Sequence, residues 1–439
     1  MKNLMMVLSV ALCSKALSQV QFKSLQDVLV FADKHSYAIK SSILQQKVDI
    51  SRSKQAQSYL YPSLNGVAGY NDNITLQPTL VPAKLFNPNA PEGTFEELVF
   101  GRQYVYNVGI QAQWDILNFQ KKFTAQTANL QLESSKASTE YARYNLYNQL
   151  ASTYYSILIT YKSLDLYSEN VIVTESLLES AKDKFKKGII SEAEVNLAAI
   201  QHLQNQKNKE TALNNLQQLT IQLQSQLNTE EQIVIQDDIE QPKAMGTQIT
   251  TANPEILVQE SQIKINQSLV KQNKALYFPS LSIIYQYGYL WATDDFMNFD
   301  TANELSSQIF GLKMSIPIFN GFATKEKVNE AKAQLELQQL ELENLKLTKK
   351  NEDETLVLQY EEAYQNLQKN KTIFELQKKN DIHSENKYKS GIISLDERLT
   401  KYGDLLTAQY NYLKSLSDFS ISQYKIYIRQ MDYQQNIFQ

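Results

Sequence analysis

This chain is one unit written twice. Tyr61-Pro62-Ser63-Leu64 recurs as Phe278-Pro279-Ser280-Leu281. The stretch from Gly109-Ile110 to Ile116-Leu117-Asn118 recurs as Gly311-Leu312 to Ile318-Phe319-Asn320. Lys184-Phe185-Lys186-Lys187-Gly188-Ile189-Ile190-Ser191 recurs as Lys387-Tyr388-Lys389-Ser390-Gly391-Ile392-Ile393-Ser394. The last two pairs lie 202 to 203 residues apart, so the copies hold register over most of a long helix. A repeat at fixed spacing governs every local assignment. Each copy carries two strand patterns and one very long helical pattern. Neither copy has enough strands to close a sheet.

The strand patterns are two-faced. In residues 104–115, Tyr104, Tyr106, Val108, Ile110, Ala112 and Trp114 share one face, with Asn107, Gly109, Gln111, Gln113 and Asp115 opposite. Leu281, Ile283, Tyr285, Tyr287, Tyr289 and Trp291 share a face, with Ser282, Gln286 and Gly288 opposite. Phe310, Leu312, Met314, Ile316 and Ile318 share another, with Lys313, Ser315 and Pro317 opposite. Residues 62–70 form the least regular strand. Each stretch runs about 9 to 12 residues with aromatics near its ends, the pattern of a membrane-spanning strand around a wet lumen. Half-buried strands of a soluble sheet are the alternative, but the rest of the chain offers no core to cover these apolar faces. A long loop with Pro78, Pro82, Pro88 and Pro91 is expected over 71–103, and a shorter one with Asp294, Asp295 and Asp300 over 293–308.

Helices fill most of the remainder. Residues 22–60 read as one helix, ended by Pro62. Residues 120–187 and 322–390 are free of Pro and Gly, and about 67 residues of helix span roughly 100 Å. Val328, Ala331, Leu335, Leu342 and Leu345, then Leu356, Tyr360, Ala363, Leu367 and Phe374 after a phase slip, recur near heptad spacing. That spacing predicts coiled-coil packing with a local re-winding. Gly188 and Gly391 each stop a long helix as a C-cap. Second helices then return over 191–228 and 394–437. Frequent Gln and Asn suggest helices wetted on one face.

The reading divides the chain into an export signal (1–18), a first repeat (19–228), an acidic connector (229–252) and a second repeat (253–439). The strand pairs fall within 62–115 and 280–318. Lys2, the apolar run from Leu4 to Cys13, and Ala16-Leu17-Ser18 give the signal its three regions. Cys13 is the chain's one cysteine, so the exported protein needs no disulfide; Leu12 before it fits a lipid-attachment signal poorly. No window of 18 or more apolar residues predicts a transmembrane helix. A formal charge of -4 argues against a nucleic-acid partner.

Four strands cannot make a transmembrane barrel, because about eight are needed and no edge can face lipid. The chain must oligomerise. Three copies give about twelve strands with long helices beneath, and a hollow helical cylinder continuous with a β-barrel is a conduit. The expected fold is therefore mainly α with transmembrane β.

The paired strand entries at Pro62 and Pro279, the strand exit Pro317-Ile318-Phe319-Asn320-Gly321 and the two glycine tips, in this order, carry a family resemblance. Over essentially its whole mature length the chain resembles outer-membrane efflux proteins of the TolC type. The first strand exit departs from the pattern, reading Trp114-Asp115-Ile116-Leu117-Asn118-Phe119. The resemblance implies a homotrimer in the outer membrane of a Gram-negative bacterium, with a short β-barrel and a long periplasmic α-barrel. It implies a periplasmic membrane-fusion adaptor and an inner-membrane transporter as partners, and a passive channel with no cofactor.

Residue by residue, the resemblance implies a periplasmic gate. Tyr388 would bond Glu194, and Glu397 would form an acidic ring. Thr400 stands where a second acid is usual, and Asp396 is the neighbouring substitute. Three Glu397 carboxylates around one axis would favour cations; ordinary solvated helix charge is the plainer account. Lys187, Gly188, Ile189, Gly391, Ile392 and Ile393 are the adaptor-docking candidates, since exposed apolar tips favour a partner. Tyr104, Tyr106, Trp114, Tyr285, Tyr287, Tyr289 and Trp291 are candidates for aromatic girdles at the lipid interfaces. His35, His202 and His383 lie far apart and suggest no metal site. No nucleophile elbow or phosphate loop marks an enzyme. The rival readings are a periplasmic coiled-coil scaffold or adaptor, which predicts no lipid-facing strands, and a surface adhesin, which predicts elaborate loops.

Overall fold

The computed structural model describes residues 19–237, 239 and 246–433. The expected export signal, Cys13 and part of the connector, including Asp238, Glu240 and Pro242, lie outside the described residues. In chain order the elements are β1 (Gln19–Phe22), α1 (Leu25–His35), α2 (Tyr37–Gln57), β2 (Ser63–Asp72), β3 (Pro78–Pro82), β4 (Phe95–Val99), β5 (Tyr104–Leu117), α3 (Phe119–Lys186) and α4 (Glu192–Leu227). Then come β6 (Gln232–Ile235), α5 (Pro254–Lys274), β7 (Ser280–Thr293), β8 (Asn303–Ser315), α6 (Ala323–Lys389) and α7 (Leu395–Gln430). The two copies are helix, strand, strand, 68- or 67-residue helix, and 36-residue helix.

The chain divides into two units. One comprises Val48–Glu133 and Ser261–Gln339. Its centre is a four-stranded antiparallel sheet in the order β2-β5-β7-β8, so the strand pair of the first copy joins the strand pair of the second through the β5–β7 contact. Register aligns the two-faced patterns: Val108 stands opposite Tyr289, Ile110 opposite Tyr287, Trp114 opposite Ile283, and Ile283 opposite Leu312. A one-residue slip would turn every one of these side chains to the other face. Among the described residues β2 and β8 are open edges. β8 stops at Ser315, short of the expected 318, because Pro317 has no amide to continue the ladder. The expected loop 71–103 holds a small antiparallel hairpin, β3–β4. In the helices of this unit, Ser53 donates to Asn129, and Thr127 and Ser268 share a hydrogen bond of 2.8 Å.

The other unit comprises the described parts of Met1–Lys47, Ser134–Glu260 and Leu340–Gln439. Its largest core joins Val28, Leu29 and Ile39 to Tyr147, Leu150, Tyr154, Leu223, Tyr424 and Ile428. The expected single helix over 22–60 is broken at Ser36. Tyr37's amide donates to the Asn228 side chain at 2.8 Å, and Asn228 caps α4 in the left-handed conformation. A tertiary partner thus ends a helix that no Gly or Pro would end. The connector also carries structure the sequence did not suggest: β6 pairs parallel with β1, Phe22 opposite Ile235. Asp237, beside β6, accepts the hydroxyl of the buried Tyr154. α7 stops at Gln430, short of the expected 437.

α6 and α7 are bolted together by two ion pairs, each between a buried arginine and a partly buried aspartate. Arg398, 1% exposed, reaches both oxygens of Asp381 at 2.5 and 3.2 Å. Arg429 reaches both oxygens of Asp353 at 2.9 Å, and also donates to the Thr251 carbonyl at 3.0 Å. Antiparallel helices meeting at Gly391 put each acid level with its arginine.

Candidate functional site

The two helical tips are built alike. Gly188 and Gly391 adopt φ of +70° and +72°, where a side chain would be strained. Ile189 N–H donates to the Lys184 carbonyl and Ile392 N–H to the Lys387 carbonyl, both at 2.9 Å. Gly188 and Gly391 donate to Phe185 and Tyr388. This paired pattern satisfies the last carbonyls of each long helix. Ser191 and Ser394 then cap the returning helices, accepting from Glu194 and Glu397 amides.

The geometry sorts the adjacent isoleucines. Ile189 and Ile392 are 64% and 70% exposed. Ile190 and Ile393 turn inward against a core of Leu177, Ala181, Ala198, Tyr388 and Leu395, which packs the two hairpins together. Ile393 is therefore half-buried, while Lys187, Gly188, Ile189, Gly391 and Ile392 remain exposed.

The expected bond between Tyr388 and Glu194 is not made in this chain. Glu194 accepts from the Ser191 amide at 2.8 Å and its hydroxyl at 3.0 Å, completing a capping box. Tyr388 is buried with its ring under the Lys184 ammonium, 3.7 Å from the centroid, and its hydroxyl has no hydrogen-bond partner among the described residues. Glu194 is held instead at its own helix start by the Ser191 amide and hydroxyl. Asp396 and Glu397 are exposed in the first turn of α7, where the positive end of the helix dipole favours acids.

Further from the tips lies a buried polar chain. Arg398, held by Asp381, sits over the Tyr402 ring, 5.4 Å from its centroid. Tyr402, 1% exposed, donates to Asn170 Oδ1 at 3.1 Å. Asn170 Nδ2 donates to Gln409 Oε1 at 2.8 Å. Burial pushes the Tyr402 phenol well above its usual range, so it acts as a neutral donor. Thr174, four residues on, donates to the Asn170 carbonyl at 2.7 Å and meets His202 Nδ1 at 3.3 Å. Sequence reasoning missed this chain. Its signal was present: Leu395, Tyr402 and Gln409 recur every seven residues, so Gln409 is a polar residue on a core seam.

The sheet has an aromatic cluster at the end nearest its loops. Tyr70 stacks on Tyr104 and Tyr106; Phe296 touches Tyr70 and Tyr104; Phe299 touches Tyr106 and Trp291; Trp291 stacks on Tyr289. Tyr287 bonds Tyr289 through their hydroxyls at 2.8 Å. On β8 the same face changes here from Phe310, Leu312 and Met314 to Glu304, Ser306 and Gln308. Tyr285 stands opposite Phe310, inside the apolar band. Trp114 belongs to the other end, where its ring nitrogen donates to the Leu60 carbonyl at 3.0 Å. Tyr61, just before β2, and Phe319 and Phe322, just after β8, are exposed, and none was expected as a girdle residue.

Among the described residues no group of three His, Cys, Asp or Glu is placed to hold a metal ion. No described helix is long and apolar enough to cross a membrane.

The family model for outer membrane efflux proteins matches residues 32–229 and again 247–426. The Campylobacter jejuni CmeC outer membrane channel superposes with a TM-score of 0.73 at 18% identity, covering 94% of this chain and 88% of that one. The outer membrane protein VceC from Vibrio cholerae gives 0.69 at 14%, covering 92% and 94%. The open state of the Neisseria gonorrhoeae MtrE outer membrane channel gives 0.71 at 14%, covering 92% and 88%. Among curated protein sequences none matches. At these identities the structural likeness establishes the fold.

Proposed function

Because this chain belongs to the outer membrane efflux protein family, we propose that three copies of it form the passive exit duct of a tripartite efflux pump or type I secretion system. The protein resides in the outer membrane and extends into the periplasm. In this reading β8 of one copy pairs with β2 of the next, and about twelve strands close without an edge. The observation that carries it is the open four-stranded sheet whose one face carries an apolar band across β5, β7 and the Phe310–Met314 part of β8. That face suits lipid, and the Gln111, Gln113, Gln286 and Lys313 face suits a wet lumen.

The long hairpins would line a periplasmic tube. Glu397, with Asp396 beside it, is the charged entrance in this reading. The exposed Ile189 and Ile392, with Lys187, Gly188 and Gly391, would meet a membrane-fusion adaptor that links the duct to an inner-membrane transporter. Lipid would be held by Tyr104, Tyr106, Tyr287, Tyr289 and Trp291 at one interface and Trp114 at the other.

The test is planar-bilayer conductance of detergent-purified protein, with Glu397→Ala alongside. A small cation-selective conductance whose selectivity falls in the variant supports the duct and its charged entrance. Unchanged selectivity removes Glu397 from the entrance. A purified protein that neither trimerises nor inserts would return the chain to the periplasmic scaffold reading.

A further inference from the structure

We propose that Asn170 is the clasp between the two hairpins, and that the periplasmic end opens by breaking its two hydrogen bonds and not a bond at Tyr388. The proposal rests on the exit-duct reading and names the device that holds the duct shut.

Asn170 belongs to the first hairpin, while Tyr402 and Gln409 belong to the second. Its amide uses both ends at once, accepting from the Tyr402 hydroxyl at 3.1 Å and donating to the Gln409 carbonyl at 2.8 Å. All three residues are buried, at 6%, 1% and 4% exposure. Separating the hairpins breaks both bonds and leaves a hydroxyl, an amide N–H and two carbonyl oxygens unpaired among buried side chains, which makes the joined state the favoured one. Gln409 lies as many residues from Gly391 as Asn170 lies from Gly188. The two amides are therefore level across the hairpins, about 27 Å from the tips by helical rise.

Tyr402 is held in place for this bond. Arg398 lies over its ring, and Asp381 pins Arg398 with two hydrogen bonds. Asp381 and Arg398 act on the clasp through Tyr402 and are positioning residues.

The clasp is also one-sided. At the matching places of the other repeat, 203 residues away, stand Ile373 for Asn170, Ala199 for Tyr402, Val195 for Arg398 and Leu178 for Asp381. Ile373 is 49% exposed. Of the clasp only Gln409 has a like counterpart, Gln206, so the Asn170–Tyr402 bond is not a feature both repeats share.

The tips offer no competing bond between the same partners. Glu194 is occupied by Ser191, and the Tyr388 hydroxyl has no partner among the described residues.

The experiment is planar-bilayer conductance of the full-length purified trimer as wild type, Tyr388→Phe, Asn170→Leu and Tyr402→Phe. Trimer content and helical ellipticity are measured on the same samples. The clasp predicts that Asn170→Leu and Tyr402→Phe raise open probability on the order of tenfold or more, and that Tyr388→Phe leaves it unchanged. Tyr402→Phe keeps the ring under Arg398, so it decides the matter if Asn170→Leu fails to fold. Wild-type conductance from an inserted Tyr402→Phe trimer overturns the clasp and leaves the duct standing. Opening by Tyr388→Phe with no effect at Tyr402 returns the lock to the tip. Failure of the wild type itself to insert removes the duct, and the clasp with it.

Discussion

Asp381→Leu should be among the most damaging single changes in the helical hairpins. The substitution leaves the Arg398 guanidinium in a site 1% exposed with no acceptor for the two donors that Asp381 now receives. Arg398 Nε already lacks a partner among the described residues, so the loss of Asp381 would leave three of its donors unpaired. Breaking one half of such a pair costs about 3–5 kcal/mol. The first hairpin supplies the remedy, since Leu178 and Val195 occupy the matching places and pack in the tip core. Asp381→Leu combined with Arg398→Val should therefore return stability to near wild type, or exceed it by about 1–4 kcal/mol, because neither charge then has to be desolvated. Urea unfolding followed by far-UV ellipticity, on wild type, both single variants and the double variant, completes the cycle. A double variant no more stable than the worse single variant would refute the reasoning. So would a cost below about 1 kcal/mol for Asp381→Leu, a value typical of exposed pairs.

Two further expectations follow from the packing. Burial raises the phenol pKa of Tyr147, Tyr154, Tyr402, Tyr424 and Tyr433. A raised folded pKa gives stability that is full below about pH 10, where unfolded tyrosine titrates, and that falls by about 1.4 kcal/mol per group per pH unit above it. Tyrosinate absorbance and helical ellipticity should therefore change together in one steep step above about pH 10; gradual ionisation with helicity intact would contradict this. In the sheet, a Cβ at Gly109 would lie 2.6 Å from the Tyr287 carbonyl oxygen and 3.0 Å from Gly288 Cα, whereas one at Gly66 meets nothing within 4 Å. Gly109→Val should abolish the trimer of the exit-duct reading, measured by size-exclusion chromatography with light scattering in detergent, and Gly66→Val should keep it; equal behaviour would show that close approach at Gly109 is not needed.

What the sequence made legible was periodic. Alternation in 104–115 and 281–291 fixed two strands and their faces, because a period of two survives without knowledge of the partner strand. Glycines 188 and 391 located the tips because their conformation strongly favours that residue. The break at Ser36 was hidden, since it depends on Asn228, far away in sequence. So were β1 and β6, four residues each, whose pairing neither segment signals alone. β3 and β4 lay inside a proline-rich stretch, where Pro78 and Pro82 sit on an isolated two-stranded ribbon that needs few of their missing donors. The buried ion pairs failed for a different reason. Charges are abundant along these helices, and only the antiparallel register says which acid meets Arg398.

The parallel pairing of β1 with β6 orders the making of the molecule. Both strands lie within residues 19–235, so the first repeat can tie its two ends together as soon as it has crossed the inner membrane. The membrane sheet cannot follow that schedule. β5 pairs early with β2 but finds its other neighbour only in β7, which emerges later, and β2 has no second partner strand among the described residues. A chain threaded out from its N-terminus thus ties off its first repeat early, completes its helical core only when the second hairpin supplies Tyr424 and Ile428, and, in the exit-duct reading, leaves its lipid-seeking surface unfinished until other copies arrive, a sequence of events that delays membrane insertion until assembly.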